Sequence, residues 1–398
     1  MKKVLLISLL AIVVNLRSQA QTISIPDVNF KNVLINNGYD FNSDKEIQLD
    51  EVQNVTSLVI RSKNIVSLEG IESFTALTSL VCDSNQIESL DLSKNLLLKT
   101  LWCSNNKLIS LNISKCDSLS GLICSNNNLT TLVLSSKNTL TYLNCSNNNL
   151  INLNVSKHTN LTSLYCSVNN LTELDVTNNA LLSTFYCDQN LLSSLDLSNN
   201  TVLEALYCYD NRLKALNLSN NVLLTNLYCY GNQFSELDIR NNIKMASMAC
   251  GNNPLTSLDL SKNTELHILW CMNTQISSFD FSKNIKLTDL TIYNNQLTSL
   301  DLRNNTKLYY LDCHGNSQLS TICVNEGQAN ETFWVKDVSS NYSTSCSQIT
   351  GIEDNEIVLN KTIYRIFNSV GQEITQEKAI GGIFIYQYTN GETEKIMR

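Results

Sequence analysis

The stretch Leu161-Thr-Ser-Leu164-Tyr-Cys166-Ser-Val-Asn169-Asn-Leu171-Thr-Glu-Leu174-Asp-Val176-Thr-Asn-Asn179 decides how this chain is read. Apolar residues alternate for a few positions, stop at an Asn, and then do so again. That is the pattern of two short strands, each ended by a turn. The phrase returns every 21 residues, and Cys166 marks its phase. Eleven cysteines fall on that grid: Cys82, Cys103, Cys124, Cys145, Cys166, Cys187, Cys208, Cys229, Cys250, Cys271 and Cys313, with Ile292 in the one empty slot. Asn follows three residues later, from Asn85 to Asn316, with Thr274 as the exception. A unit this short cannot bury its own apolar face and must stack on its neighbours, so the period outranks any local motif. The expected fold is a β-rich solenoid with short strands on both sides of each coil.

The alternation also sets what points inward. Each gridded Cys shares a side with the Leu two positions before it, and a free Cys behaves as a small buried hydrophobe. Neighbouring rungs lie about 4.8 Å apart, but parallel in-register Cβ vectors suit the disulfide torsion poorly. Free, buried thiols are therefore expected. The Asn amides carry both donors and acceptors and can bind backbone groups of their own and adjacent coils. Three successive coils carry Cys116, Lys137 and His158 where the second Asn column should be, so local irregularity is expected there.

Residues 1–20 begin with Lys2 and Lys3, run apolar from Val4 to Val14, and end Ser18-Gln19-Ala20. This reads as a cleaved secretory signal whose apolar part is too short to span a bilayer; no other segment is long and apolar enough to be transmembrane. The segment holds three of the 28 Lys+Arg and none of the 36 Asp+Glu, leaving 25 against 36 and a net charge of −11. Nucleic acid and anionic membrane surfaces are disfavoured as partners. Only two Pro and twelve Gly occur, so flexible linkers are essentially absent.

The unit Leu-x-x-Leu-x-Cys-x-x-Asn-x-Leu-x-x-Leu-Asp-Leu-Ser-x-Asn-x-x resembles the nested leucine-rich repeats of secreted bacterial proteins, over residues 55–324. The resemblance implies a leucine-rich-repeat solenoid. For function it implies a surface or secreted protein that binds or adheres. Residues 21–54 read as an N-terminal cap, with a short helix from Ile25-Pro26-Asp27 to Asn37-Gly38. Residues 325–350, with Trp334-Val335-Lys336-Asp337 and Ser345-Cys346, look like the C-terminal cap of related secreted repeat proteins. That likeness implies a disulfide between Cys323 and Cys346, a bond of about 3 kcal/mol. Residues 351–398 form short β-prone runs around Val370-Gly371-Gln372 and end in Arg398. They look like a truncated C-terminal sorting domain of type IX secretion substrates, lacking its usual Tyr-Pro-Asn-Pro-like opening. This likeness implies secretion machinery as a partner and a secreted or outer-membrane surface location in a Gram-negative bacterium.

Three surfaces are candidates for function. Asp40-Phe-Asn42-Ser-Asp44-Lys-Glu46-Ile-Gln-Leu-Asp-Glu51 follows the twelve-residue calcium loop, with Asp40, Asn42, Asp44, Glu46 and Glu51 as ligands. It departs at Lys45, where the turn normally needs Gly. Calcium binding and a calcium-free acidic turn both stand as readings, and no cofactor is required. The second candidate flanks the cysteines, where side chains point out of the sheet. Trp102, Tyr165, Tyr186, Tyr207, Tyr228 and Trp270 precede them; Tyr209, Tyr230 and Tyr293 follow. Such a stripe is either a stabilising cross-strand ladder or a ligand-binding face for a protein or glycan. The third, an outward Asp/Asn column from Asp91 to Asp301, reads as a solvated face.

Catalytic constellations are absent: His158, His267 and His314 lie in different coils, and no Cys-x-x-Cys pair, His-Glu-x-x-His or Gly-rich phosphate loop occurs. The expected function is non-enzymatic binding of an extracellular protein or glycan. The alternative is a structural spacer or matrix component.

Overall fold

The computed structural model describes residues 21–329 and 334–346, together with four strands further on. The chain divides into two compact units, Met1–Ile349 and Thr350–Arg398. The signal segment lies outside the described residues. So do 330–333 and 347–350 of the C-terminal cap and all of the sorting-domain reading except its strands.

The first unit is a stack of coils held by a 13-stranded parallel sheet running from Ser57–Val59 to Tyr310–Asp312. Every strand of this sheet is three residues long, and like pairs with like: Leu206 with Leu227, Tyr207 with Tyr228, Leu143 with Leu164. The alternation read from the sequence explains the register. The central residue of each strand is fully buried, and a slip of one residue would turn it to solvent. The gridded cysteines are buried and unbonded. Their backbones extend the sheet by one bond, as in Cys187 N–H to Tyr207 O at 2.8 Å.

The first Asn column works at the sheet's exit. Asn211 Nδ2 donates to Cys187 O at 3.0 Å and Cys208 O at 3.1 Å, while its Oδ1 accepts from Leu192 N–H at 3.0 Å. From Cys82 to Cys229 each gridded Cys carbonyl thereby takes two amides, its own coil's and the next one's: Cys208 O also accepts from Asn232 Nδ2 at 3.0 Å. Just before these Asn residues the backbone is left-handed in coil after coil, at Asn105, Asn126, Asn147, Val168, Gln189, Asp210, Gly231 and Asn252. Asn, Asp and Gly tolerate that conformation, and a β-branched side chain does not. Val168, at φ 55°, is the misfit. Val168→Asn should raise unfolding free energy by about 1 kcal/mol, read as a higher urea midpoint; an unchanged or lower midpoint would contradict it.

The second side differs from the sequence reading. Strands form there only near the ends, at Ser89–Asp91 with Ser110–Asn112, and at Leu300–Asp301 with Thr321–Cys323 and Asn341–Ser343. Between these, among the described residues, the coils are tied by the second Asn column instead of a backbone ladder. Asn200 Nδ2 donates to Val176 O at 3.1 Å and Asn179 O at 2.9 Å. Where that column breaks, Cys116 Sγ takes over the amide's role toward Leu92 O at 3.5 Å. Around Lys137 side chains rearrange, with Ser135 Oγ donating to Asp117 Oδ1 at 2.6 Å.

The first coil is capped by the helix Val28–Asn36, which buries Phe30 and Leu34. Asp27 caps it, accepting from Phe30 N–H, and also accepts from Val66 N–H at 2.7 Å and Ser67 N–H at 3.0 Å, which fastens the helix to the stack. At the far end Val335 bridges to Asp312, the Trp334 indole donates to Tyr309 O at 3.2 Å, and Cys323 and Cys346 form a disulfide. The second unit contains a four-stranded antiparallel sheet in the order Glu373–Ile374, Ile363–Phe367, Ile383–Tyr388, Thr393–Met397.

Candidate interaction surface

All nine aromatic residues singled out lie on the outward side of the long sheet, partly exposed. The structure sorts them into separate groups. Tyr165, Tyr186, Tyr207 and Tyr228 form a continuous ladder with ring centroids 4.9, 4.0 and 4.5 Å apart. Trp270 joins its end edge-on to Tyr228 at 6.1 Å, reaching over the buried Ala249. Beside this ladder Tyr209 stacks on Tyr230 at 4.4 Å. Tyr293 is separated from that pair by Gly251 and Met272 and stacks on His314 at 4.9 Å instead. Trp102 stands apart, beyond Ile123 and Asn144, under the guanidinium of Arg61 at 5.2 Å.

The ladder also holds a residue that the column reading missed. Tyr142 lies in the other outward column of its strand, yet its ring reaches diagonally to Tyr165 at 5.5 Å. Two carboxylates belong to the surface as well. Asp188, only 4% exposed, accepts from Ser167 Oγ at 2.6 Å. Burial raises its carboxyl above the usual range, with the hydrogen bond from Ser167 opposing. Asp289 accepts from the Trp270 indole at 3.0 Å. Burial, with Tyr209 second, pushes the Tyr230 phenol up to about 12, and Tyr165 and Tyr207 also move up, mainly through burial. The phenols of Tyr165, Tyr207 and Tyr230 are therefore neutral at physiological pH, and the Tyr228 hydroxyl is hydrogen-bonded to Ser247 Oγ at 2.8 Å.

The acidic loop near the N-terminus is arranged differently from a convergent metal cage. Asp40 accepts from Asp44 N–H at 3.1 Å and Lys45 N–H at 3.0 Å, and Asp44 accepts from Glu46 N–H at 2.8 Å. Asn42 Nδ2 donates to Asp44 at 3.0 Å. Glu46 is turned to Lys31 at 2.6 Å. Glu51 accepts from Phe41 N–H at 2.7 Å and Gln48 N–H at 2.9 Å, capping the short helix Leu49–Val52. Lys45 adopts the left-handed turn, φ 67°, that Gly normally supplies. In this arrangement Asp40, Asn42, Asp44 and Glu51 accept from protein donors and Glu46 is turned to Lys31. Among the described residues no group of three or more His, Cys, Asp or Glu is placed to hold a metal ion.

On the second side the outward Asp/Asn column is a set of turn formers. Asp196 accepts from Ser198 N–H at 2.9 Å and Asp238 from Arg240 N–H at 3.1 Å. Side-chain and backbone bonds from Arg240 hold the Asp238 carboxyl down at about 2.

A parallel β-solenoid of about 13 turns, with few helices and a Leu, Cys and Asn repeat, is a leucine-rich-repeat fold. Its neighbours among solved structures include bacterial leucine-rich-repeat proteins. The functional domain of InlJ from Listeria monocytogenes, described as including a cysteine ladder, is 27% identical at a TM-score of 0.63, with 95% of this chain and 98% of that one covered. An internalin, inlF, from Listeria monocytogenes is 20% identical at 0.60, with 84% and 100% covered. A leucine-rich-repeat protein of Leptospira interrogans is 19% identical at 0.54, with 68% and 77% covered. No protein-family model and no curated protein matches the chain.

Proposed function

We propose that this chain is a secreted or surface-displayed, non-enzymatic binding protein, and that the aromatic face of its long sheet is the binding surface for an extracellular protein or glycan. The observation that carries the reading is the run of partly exposed rings from Tyr142 to Trp270 on a rigid sheet. Contiguous aromatic area of this kind supplies the anchors of interfaces at low entropic cost. The likeness to the functional domain of InlJ supports it. The amino-terminal signal and the type IX-like C-terminal segment belong to the same proposal, as the route to the surface of a Gram-negative cell. No helix among the described residues is long and apolar enough to cross a membrane.

A spacer reading has its own support, because the rings also satisfy each other by stacking. Replacing Tyr186, Tyr207 and Tyr228 together by Ser separates the two. Binding to an array of glycans and extracellular proteins should fall at least about a hundredfold, as loss of several anchors demands, while the fold persists. Unchanged binding, with only the stability loss of about 0.2–1 kcal/mol per cross-strand pair, would establish the spacer instead.

A further inference from the structure

Charge is unevenly distributed around the coils. From Tyr142 to His314 the outward positions of the long sheet and the residues flanking them contain no Lys or Arg. Every Lys and Arg in that stretch lies in a turn or on the second side; Arg212, the nearest in sequence to the tyrosines, follows the buried Asn211. The same face carries Asp188, Glu204, Asp210, Asp289 and Asp312. Glu204 and Asp210 are exposed, and Asp289 and Asp312 partly so. Burial and the neighbouring Asp188 raise the Asp210 carboxyl above its usual range. Carboxylates thus border an aromatic surface that has no Lys or Arg of its own, Asp312 alone among them being paired, with His314 at 2.6 Å.

The chain shows once what such a surface does with a guanidinium. Arg61 lies over the Trp102 ring at 5.2 Å and pairs with Asp83 at 3.0 Å. Asp83 and Trp102 occupy the same two columns, one coil apart, as Asp188 and Tyr207. The slot corresponding to Arg61 in that second set holds Ser167, which donates to Asp188 at 2.6 Å, so the chain itself places no guanidinium over Tyr207.

We infer that the face between Tyr142 and His314 takes a cationic polypeptide segment, extended along the stack, with Arg or Lys side chains between the aromatic rings and the carboxylates of Glu204, Asp210 and Asp289. This rests on the binding-surface reading and names the ligand class for it. Complementary charge would steer and register such a partner, and its binding would weaken with salt. Neutral glycans supply the stacking surface that tyrosines accept but leave the carboxylates unanswered.

The test uses the full chain and a synthetic peptide of alternating Arg and Ser, with a Gln-for-Arg peptide and a neutral glycan panel alongside. Glu204→Gln, Asp210→Asn and Asp289→Asn together should weaken Arg-peptide binding about tenfold, as three partly exposed pairs would. Asn already occupies the slot of Asp210 in other coils, at Asn105, Asn126 and Asn252. The control Asp175→Asn, Asp196→Asn and Asp259→Asn removes equal charge from the second side, where Asn112 and Asn217 show the change is tolerated. It should leave binding within about twofold, since exposed charges beyond the Debye length are screened. Equal weakening by both triples, or no binding of the Arg peptide, overturns the inference. A neutral glycan that binds, and is lost with the three tyrosines but not the three carboxylates, also overturns it while leaving the surface reading standing. Binding of none of these ligands, with the tyrosine variant matching the parent, removes both.

Discussion

Asn211→Ala should cost about 3 kcal/mol of stability, roughly twice the cost of Asn221→Ala, although both residues are buried amides in the same coil. The difference lies in what each leaves behind. Without the Asn211 amide, the buried Leu192 N–H loses its acceptor, and an orphaned buried donor costs about 1–3 kcal/mol beyond the lost bonds. The Cys187 and Cys208 carbonyls keep a second amide, from Asn190 and Asn232. Asn221 only donates, to Leu197 O and Asn200 O, and these carbonyls retain the N–H groups of Asn200 and Leu203. Its Oδ1 takes no hydrogen bond from the described residues. Urea unfolding of the two variants measures the difference. Equal losses would mean the first column is no more than a second copy of the other.

The second large effect is chemical. Twelve of the cysteines are free, and all twelve are buried. Burial pushes the Cys145 and Cys313 thiols up to about 12 and Cys116 to about 11, with most of the others shifted the same way. Since the thiolate is the reactive form, iodoacetamide at about pH 8 should leave the native chain unlabelled. In denaturant without reductant the same treatment should add twelve groups, the remaining two cysteines being joined in the Cys323–Cys346 bond. Intact-mass measurement reads both. Native labelling at a rate comparable to that of the denatured chain would show that the coils do not seal the column.

The period made the interior legible. Once Cys166 and Leu164 share a side, the direction of Tyr165 follows, and no tertiary information is needed to place the stripe outward. The side chains' choice among neighbours was not legible in the same way. Tyr142 meets Tyr165 across a diagonal that no column of the repeat displays, and Tyr293 pairs with a histidine rather than with another tyrosine. Trp102 shares the tyrosines' column, yet its ring lies under the Arg61 guanidinium. Asp188 reads as a surface residue in sequence but is covered by its neighbours. The missing strands of the second side have a related cause. Alternation shows that a segment can extend, but whether adjacent coils come within ladder distance depends on the stack as a whole. The left-handed position was hidden because Asn, Val, Gln, Asp and Gly all occupy it, and only their shared backbone reveals the column.

The exact repetition of register gives the stack modular length. Removing residues 201–221 would bring Val222 to follow Asn200 and leave every inward and outward column in phase, because the excised piece is one full period. The binding face would shorten by a single rung, about 4.8 Å, with no new interior to be found. A chain built this way can change its reach by gaining or losing whole coils, so the size of the partner it spans can vary while the chemistry of each rung is kept.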